Sequence, residues 1–178
     1  WIMEDGQKNL WFGVEDKGAL KYPLNGQKPA WFYADNAPGH LKGRSIRSIV
    51  ADNNGNIWFA TFDKGVSVYN PAANSFTYYN MENNALAANA VLGMVKTHNG
   101  DILISTLGRG IYRYEINKDR FEKLTADVTA FTMHCISNGA VLIGTEDNGL
   151  LYFDETEKTV KPYPGVPGSR PGMENSKI

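Results

Sequence analysis

A single cysteine, Cys135, stands in 178 residues. It has no partner within the chain, so no internal disulfide holds the fold, and cysteine usage leaves the redox compartment open. No apolar run approaches the roughly 18 residues of a membrane-spanning helix. The chain opens on Trp1 rather than Met, so the lack of a targeting segment carries no weight. Surplus charge is missing too: eighteen Lys and Arg against nineteen Asp and Glu give a net charge of −1. Without a basic face or a polybasic run, neither nucleic acid nor a membrane surface is an expected partner. The three histidines, at 40, 98 and 134, are too few and too scattered for a zinc set. His134 and Cys135 are neighbours, but adjacent residues of a strand point to opposite faces. No metal and no cofactor are expected. Helical periodicity is nearly absent; "NALAANAV" from Asn84 suits a loop better than a helical turn.

What remains is 42% apolar and 12% aromatic, with eighteen glycines and nine tyrosines. That composition suits a globular chain of many short strands and tight turns. One phrase recurs: "NNGNIWFAT" from Asn53, "HNGDILIST" from His98, "SNGAVLIGT" from Ser137 and, more loosely, "DGQKNLWFGV" from Asp5. Aligned on glycine, the first copy carries two extra residues. Asn-Gly or Asp-Gly between apolar runs predicts a type I′ hairpin, with positive φ at both central positions. A second glycine follows in each copy, at Gly18, Gly65, Gly110 and Gly149. Short strands after it end in Tyr22, Tyr69, Tyr114 and Phe153, which are 47, 45 and 39 residues apart. With a strand before each phrase and another after, each unit has four strands and three turns. That period and strand count are the mark of a β-propeller blade.

The fold class is therefore all-β, a propeller with four four-stranded blades at about 1–44, 45–90, 91–130 and 131–163. Residues 164–178 are expected to form an inter-blade loop and the start of a further blade, so the four blades are a piece of a larger ring. The apolar "IWFAT" run predicts a strand buried on both faces, with Trp11 and Trp58 packing blade against blade. "DNNGN" from Asp52 looks like the opening of a calcium loop, but Asp63 stands where the twelfth-position glutamate would be. The same stretch is similar to the Asp-box turn of sialidases without matching its spacing. A hairpin turn accounts for it.

Blade topology sorts the loops. Label the strands of a blade A to D: the A–B and C–D turns share one face, the B–C and D–A loops the other. The repeated phrase holds the A–B turn, and the variation sits opposite, where loops on a rigid scaffold usually bind. Candidate ligand contacts are Lys17, His40, Phe62, Asp63, Lys64, Arg109 and Asp147. Their polar heads suit sugar hydroxyls, and Phe62 offers a ring to stack on. The plainer reading of each is a solvated turn residue. No carboxylate pair stands out for glycoside cleavage, and Ser-His-Asp and phosphate-loop patterns are absent.

The pattern D-x-x-G-N-I-W-F-A-T-x-x-x-G-V-x-V-Y-N-P, from Asp52 to Pro71, resembles the two-component regulator propeller repeat. It weakens in the third and fourth units, where Leu103 and Leu142 replace the tryptophan. The resemblance implies the periplasmic sensor region of a hybrid two-component histidine kinase, as in Bacteroides. It further implies a ring of about seven blades, an oligosaccharide or similar small ligand, and signalling to a cytoplasmic kinase outside this chain. The segment itself would not be an enzyme. The alternatives are a fragment of a propeller glycoside hydrolase or polysaccharide lyase, and a protein-binding scaffold. An open arc of four blades leaves apolar faces uncovered, which predicts self-association or closure by other blades.

Overall fold

The computed structural model describes residues 1–35 and 37–164. The expected further-blade segment therefore lies, beyond Pro164, outside the described residues. Among the described residues, sixteen strands form four four-stranded sheets, each a meander in chain order. The first holds β1 (Ile2–Glu4), β2 (Asn9–Val14), β3 (Gly18–Pro23) and β4 (Ala30–Tyr33). In the second are β5 (Ile46–Ala51), β6 (Ile57–Thr61), β7 (Gly65–Asn70) and β8 (Ser75–Tyr79). The third has β9 (Val91–Lys96), β10 (Ile102–Thr106), β11 (Gly110–Glu115) and β12 (Arg120–Lys123). The fourth has β13 (Ala130–Cys135), β14 (Val141–Thr145), β15 (Leu150–Asp154) and β16 (Thr159–Pro162). These strands group into two compact units, Trp1–Leu92 and Gly93 onward.

The repeated turn differs from its expected type. Gly55 N–H donates to the Asp52 carbonyl at 3.2 Å, and Asp52 N–H to the Asn56 carbonyl at 3.0 Å. Positive φ falls on Gly55 alone within the turn, at 81°. This is a type I turn closed by a left-handed glycine, the three-residue hairpin with a bulge, and not a type I′ turn. Gly100 and Gly139 repeat it at 91° and 88°. In the first copy the left-handed residue is Lys8, at 65°, bonded to the Asp5 carbonyl at 3.1 Å. Asp5 thus aligns with Asp52, and the two extra residues disappear. The register is set by the aspartate, since Gly6 needs no positive φ.

Asp52 does more than open the turn. Its carboxylate accepts hydrogen bonds from Asn54 N–H, Asn56 N–H, the Asn56 amide and Trp58 Nε1, the last at 2.9 Å. Asp5 does the same for Gln7, Asn9 and Trp11. Burial pushes the Asp5 carboxyl up, but the Trp11, Asn9 and Gln7 donors outweigh it and hold its pKa below the ordinary value. In the third and fourth sheets Trp becomes Leu103 and Leu142, and the aspartate becomes Thr97 and Ile136. Acid and indole come and go together because each satisfies the other.

The B–C turns share a second device. Thr61, Thr106 and Thr145 each donate a hydroxyl to the carbonyl four residues on, at 3.0, 2.8 and 2.6 Å. That carbonyl belongs to the repeat's second glycine. At Gly65, φ is 76° and an added Cβ would stand 2.3 Å from the Tyr79 carbonyl oxygen, so only glycine fits.

β6 and β10 are buried at all five positions, as a strand covered on both faces must be. In the first unit the core runs through Trp11, Ala19, Leu41, Ile49, Ile57 and Phe59. Trp11 lies 5.7 Å from Phe59 of the next sheet, and Phe32 lies 4.8 Å from Tyr69. Both tryptophans are core residues, Trp11 at 1% and Trp58 at 2% exposure. The second unit packs Leu103, Ile111, Val141, Ile143 and Phe153. Beside that core, Arg113 is buried among Asp101, Glu115 and Glu122 at 2.8, 3.4 and 3.1 Å.

Candidate functional site

In the first unit the segment 42–47 runs between two B–C loops. Asp16 N–H donates to the Arg44 carbonyl at 3.2 Å from one side, and Phe62 N–H to the Ser45 carbonyl at 3.0 Å from the other. The Ser45 hydroxyl reaches Glu15 Oε2 at 3.3 Å. Gly43, at φ 84°, lets the chain pass against the Asp63 carboxylate, which lies 2.8 Å from where a Cβ would be. Immediately afterwards the β5–β6 ladder skips a residue between Ile46 and Ser48. The residue left out is Arg47. A bulge of this kind re-aims one side chain, and Arg47 is exposed, with its guanidinium 5.2 Å from the centre of the Phe62 ring.

Phe62 and Asp63 are thereby brought beside Arg44 and Arg47, two residues the sequence reading did not single out. Lys64 follows on the same loop, half-buried, its N–H bonded to Thr61 Oγ1 at 3.1 Å. Lys17 lies on the neighbouring B–C loop, where its ammonium sits 5.8 Å from the Trp31 ring. His40 is elsewhere: it pairs with Asp35 at 2.9 Å, and its carbonyl accepts the Tyr78 hydroxyl at 2.7 Å. It lines a cleft of about 280 Å³ with Trp31, Tyr33, Tyr69, Asn74 and Phe76, at the outer strands β4 and β8. The backbone N–H of Ala37, and then His40, hold the Asp35 carboxyl below its usual pKa.

In the second unit, Arg109 and Asp147 occupy the two B–C loops and are exposed. Both loops anchor to Thr129. Gly108 N–H donates to its hydroxyl at 3.1 Å, and Glu146 N–H to its carbonyl at 2.9 Å. β13 carries the same kind of register shift as β5, between Ala130 and Thr132, and it turns out Phe131, 51% exposed. Arg47 and Phe131 could have been found from sequence only through the bulge, and a bulge one residue long leaves no mark in apolar periodicity.

Residues 40–63 match the family model described as two component regulator propeller. No curated protein matches the sequence. Among solved structures, the extracellular domain assigned to a hybrid two component system of Bacteroides thetaiotaomicron is similar over 92% of this chain, at 23% identity and a TM-score of 0.73. Virginiamycin B lyase from Staphylococcus aureus is similar over 94%, at 15% identity and a TM-score of 0.69. An auxiliary nutrient binding protein, also from Bacteroides thetaiotaomicron, is similar over 91%, at 12% identity and a TM-score of 0.67. The chain spans 24%, 55% and 40% of those three structures. The fold is that of a β-propeller, with four four-stranded sheets among the described residues, and the match to the two component regulator propeller model leads into the second of them.

Proposed function

We propose that this propeller is the extracytoplasmic, ligand-sensing part of a hybrid two-component signalling protein, periplasmic in place and non-enzymatic in action. The observation that carries the reading is the regulator repeat over residues 40–63, set in a fold like that of a two-component extracellular domain. The ligand is an oligosaccharide or a similar small polar molecule. Binding occurs on the B–C/D–A face, where Arg44, Arg47, Phe62 and Asp63 converge in the first unit. The signal passes to a histidine kinase in another part of the protein. The outward face of the first sheet, with Ile2, Tyr22 and Trp31 exposed, is covered by other blades or by a second copy of the chain.

The propeller scaffold also serves a lyase, so fold alone does not decide against chemistry. A thermal-shift screen of the full chain against neutral and acidic oligosaccharides tests the reading. A true ligand at about 100 times its Kd adds about 2.7 kcal/mol of stability and raises the Tm. A panel that leaves Tm unmoved throughout would overturn it.

A further inference from the structure

The inner part of the B–C/D–A face in the first unit carries a specific charge chemistry. Among the described residues of that unit, the ion pairs are Lys8–Glu4 and His40–Asp35. Arg44, Arg47 and Lys64 belong to none, although Asp63 directly follows the ring on which Arg47 rests. A neighbouring carboxylate is within sequence reach, and the guanidinium instead lies over Phe62. Stacking on a ring face holds a guanidinium flat with its edge donors free. Two backbone devices fix the pair. The β5 bulge turns Arg47 out of the ladder, and the Phe62 N–H to Ser45 carbonyl bond ties the ring's loop to the strand that carries the arginine. Part of the cost of orienting a long cationic side chain is thus met before any ligand arrives.

Resting on the sensing reading above, we infer that the Arg47–Phe62 pair is an oxyanion subsite, and that the ligand is an acidic saccharide. A carboxylate or sulfate group lies in the plane of the Arg47 guanidinium and accepts two of its N–H groups, the bidentate arrangement that arginine favours. Arg44 and Lys64 add longer-range attraction, while the sugar ring meets Asp63 through its hydroxyls. Phe62 positions Arg47, whose guanidinium lies over one face of the ring.

The experiment is a calorimetric titration of the full chain with three probes: trigalacturonate for the carboxylate source, a sulfated disaccharide for the sulfate source, and maltotriose as a neutral control. At least one acidic probe binds about tenfold or more tighter than maltotriose. Arg47→Gln removes that preference, Arg47→Lys keeps part of it, and raised salt weakens it. Lys28→Gln, the same charge change on the exposed C–D turn of the first sheet, leaves binding unchanged. Circular dichroism and Tm confirm that each variant is folded. The stronger acidic probe tells carboxylate from sulfate. Acidic and neutral probes binding equally, with Arg47→Gln silent, would overturn the subsite and leave the sensing reading standing. Heat from none of the three would overturn both.

Discussion

Asp52 ties its own copy of the repeated turn to the buried indole of Trp58. One carboxylate satisfies two backbone N–H groups, a side-chain amide and a buried indole N–H. Removing it strands those donors, and an unsatisfied buried donor costs about 1–3 kcal/mol. Asp52→Ala is therefore expected to lower unfolding stability by about 3 kcal/mol, read as a shift in the urea midpoint at unchanged slope. Trp58→Leu in the same background costs less than in the wild type, because the indole donor is already without its acceptor. Equal costs in both backgrounds would show that acid and indole are independent. The internal comparison supports coupling, since the third sheet has lost both: Leu103 faces Arg113 in the strand register, and Arg113 rather than an indole meets an aspartate, Asp101.

At the scale of elements, the second unit holds a charge cluster without a counterpart among the described residues of the first. Glu115, at the end of β11, accepts a hydrogen bond from Arg120 at 2.6 Å and pairs with Lys118 at 2.7 Å and Arg113 at 3.4 Å. Lys118 first, then Arg120 and Arg113, pull its pKa from 4.5 down to about 2. A depressed carboxylate stabilises the fold fully above its unfolded value and loses that contribution as pH falls through the folded one. The window for Glu115 is thus from about 4.5 to about 2. Melting of the wild type is expected to weaken across that window, and Glu115→Gln is expected to flatten the decline. A decline of equal steepness in the variant would assign the acid sensitivity to other groups.

The strands themselves were legible in sequence. "IWFAT" and "ILIST" are continuous apolar runs because β6 and β10 are buried on both faces, and the second glycines mark turns where a Cβ has no room. The turn type was not legible. Asn-Gly suits two hairpin geometries, and the same turn recurs at Gly100 and Gly139 where Thr97 and Ile136 replace the aspartate, so the Asp52 carboxylate reinforces the turn without selecting its type. The candidate site was half legible. Phe62 and Asp63 stand on a loop whose variability drew attention, whereas Arg44 and Arg47 stand beside and within a strand, where only the bulge exposes the second of them. His40 was grouped with these residues by loop class, but the D–A connection is long enough to place it at the outer strands instead.

For the molecule as a whole, the first sheet has one covered face and one open. Trp11, Ala19 and Phe32 pack inward. On the other face, Ile2, Phe12, Leu20 and Trp31 form a row across all four strands in register. Tyr22 stands beside Leu10 in the next row but one. Burying such a row gains roughly 25 cal/mol per Å², so the face is expected to find a partner. Sedimentation velocity should show association that falls away on dilution, and Leu20→Glu should suppress it. A wild-type monomer at every concentration would contradict this.

As proposed, the propeller binds a saccharide without altering it. The most direct measurement is calorimetric titration of the full chain with an oligosaccharide panel, followed by chromatography of the same mixtures. Saturable heat is expected with at least one oligosaccharide, recovered at its original length. No heat with any of them, or heat accompanied by shortened products, would contradict it.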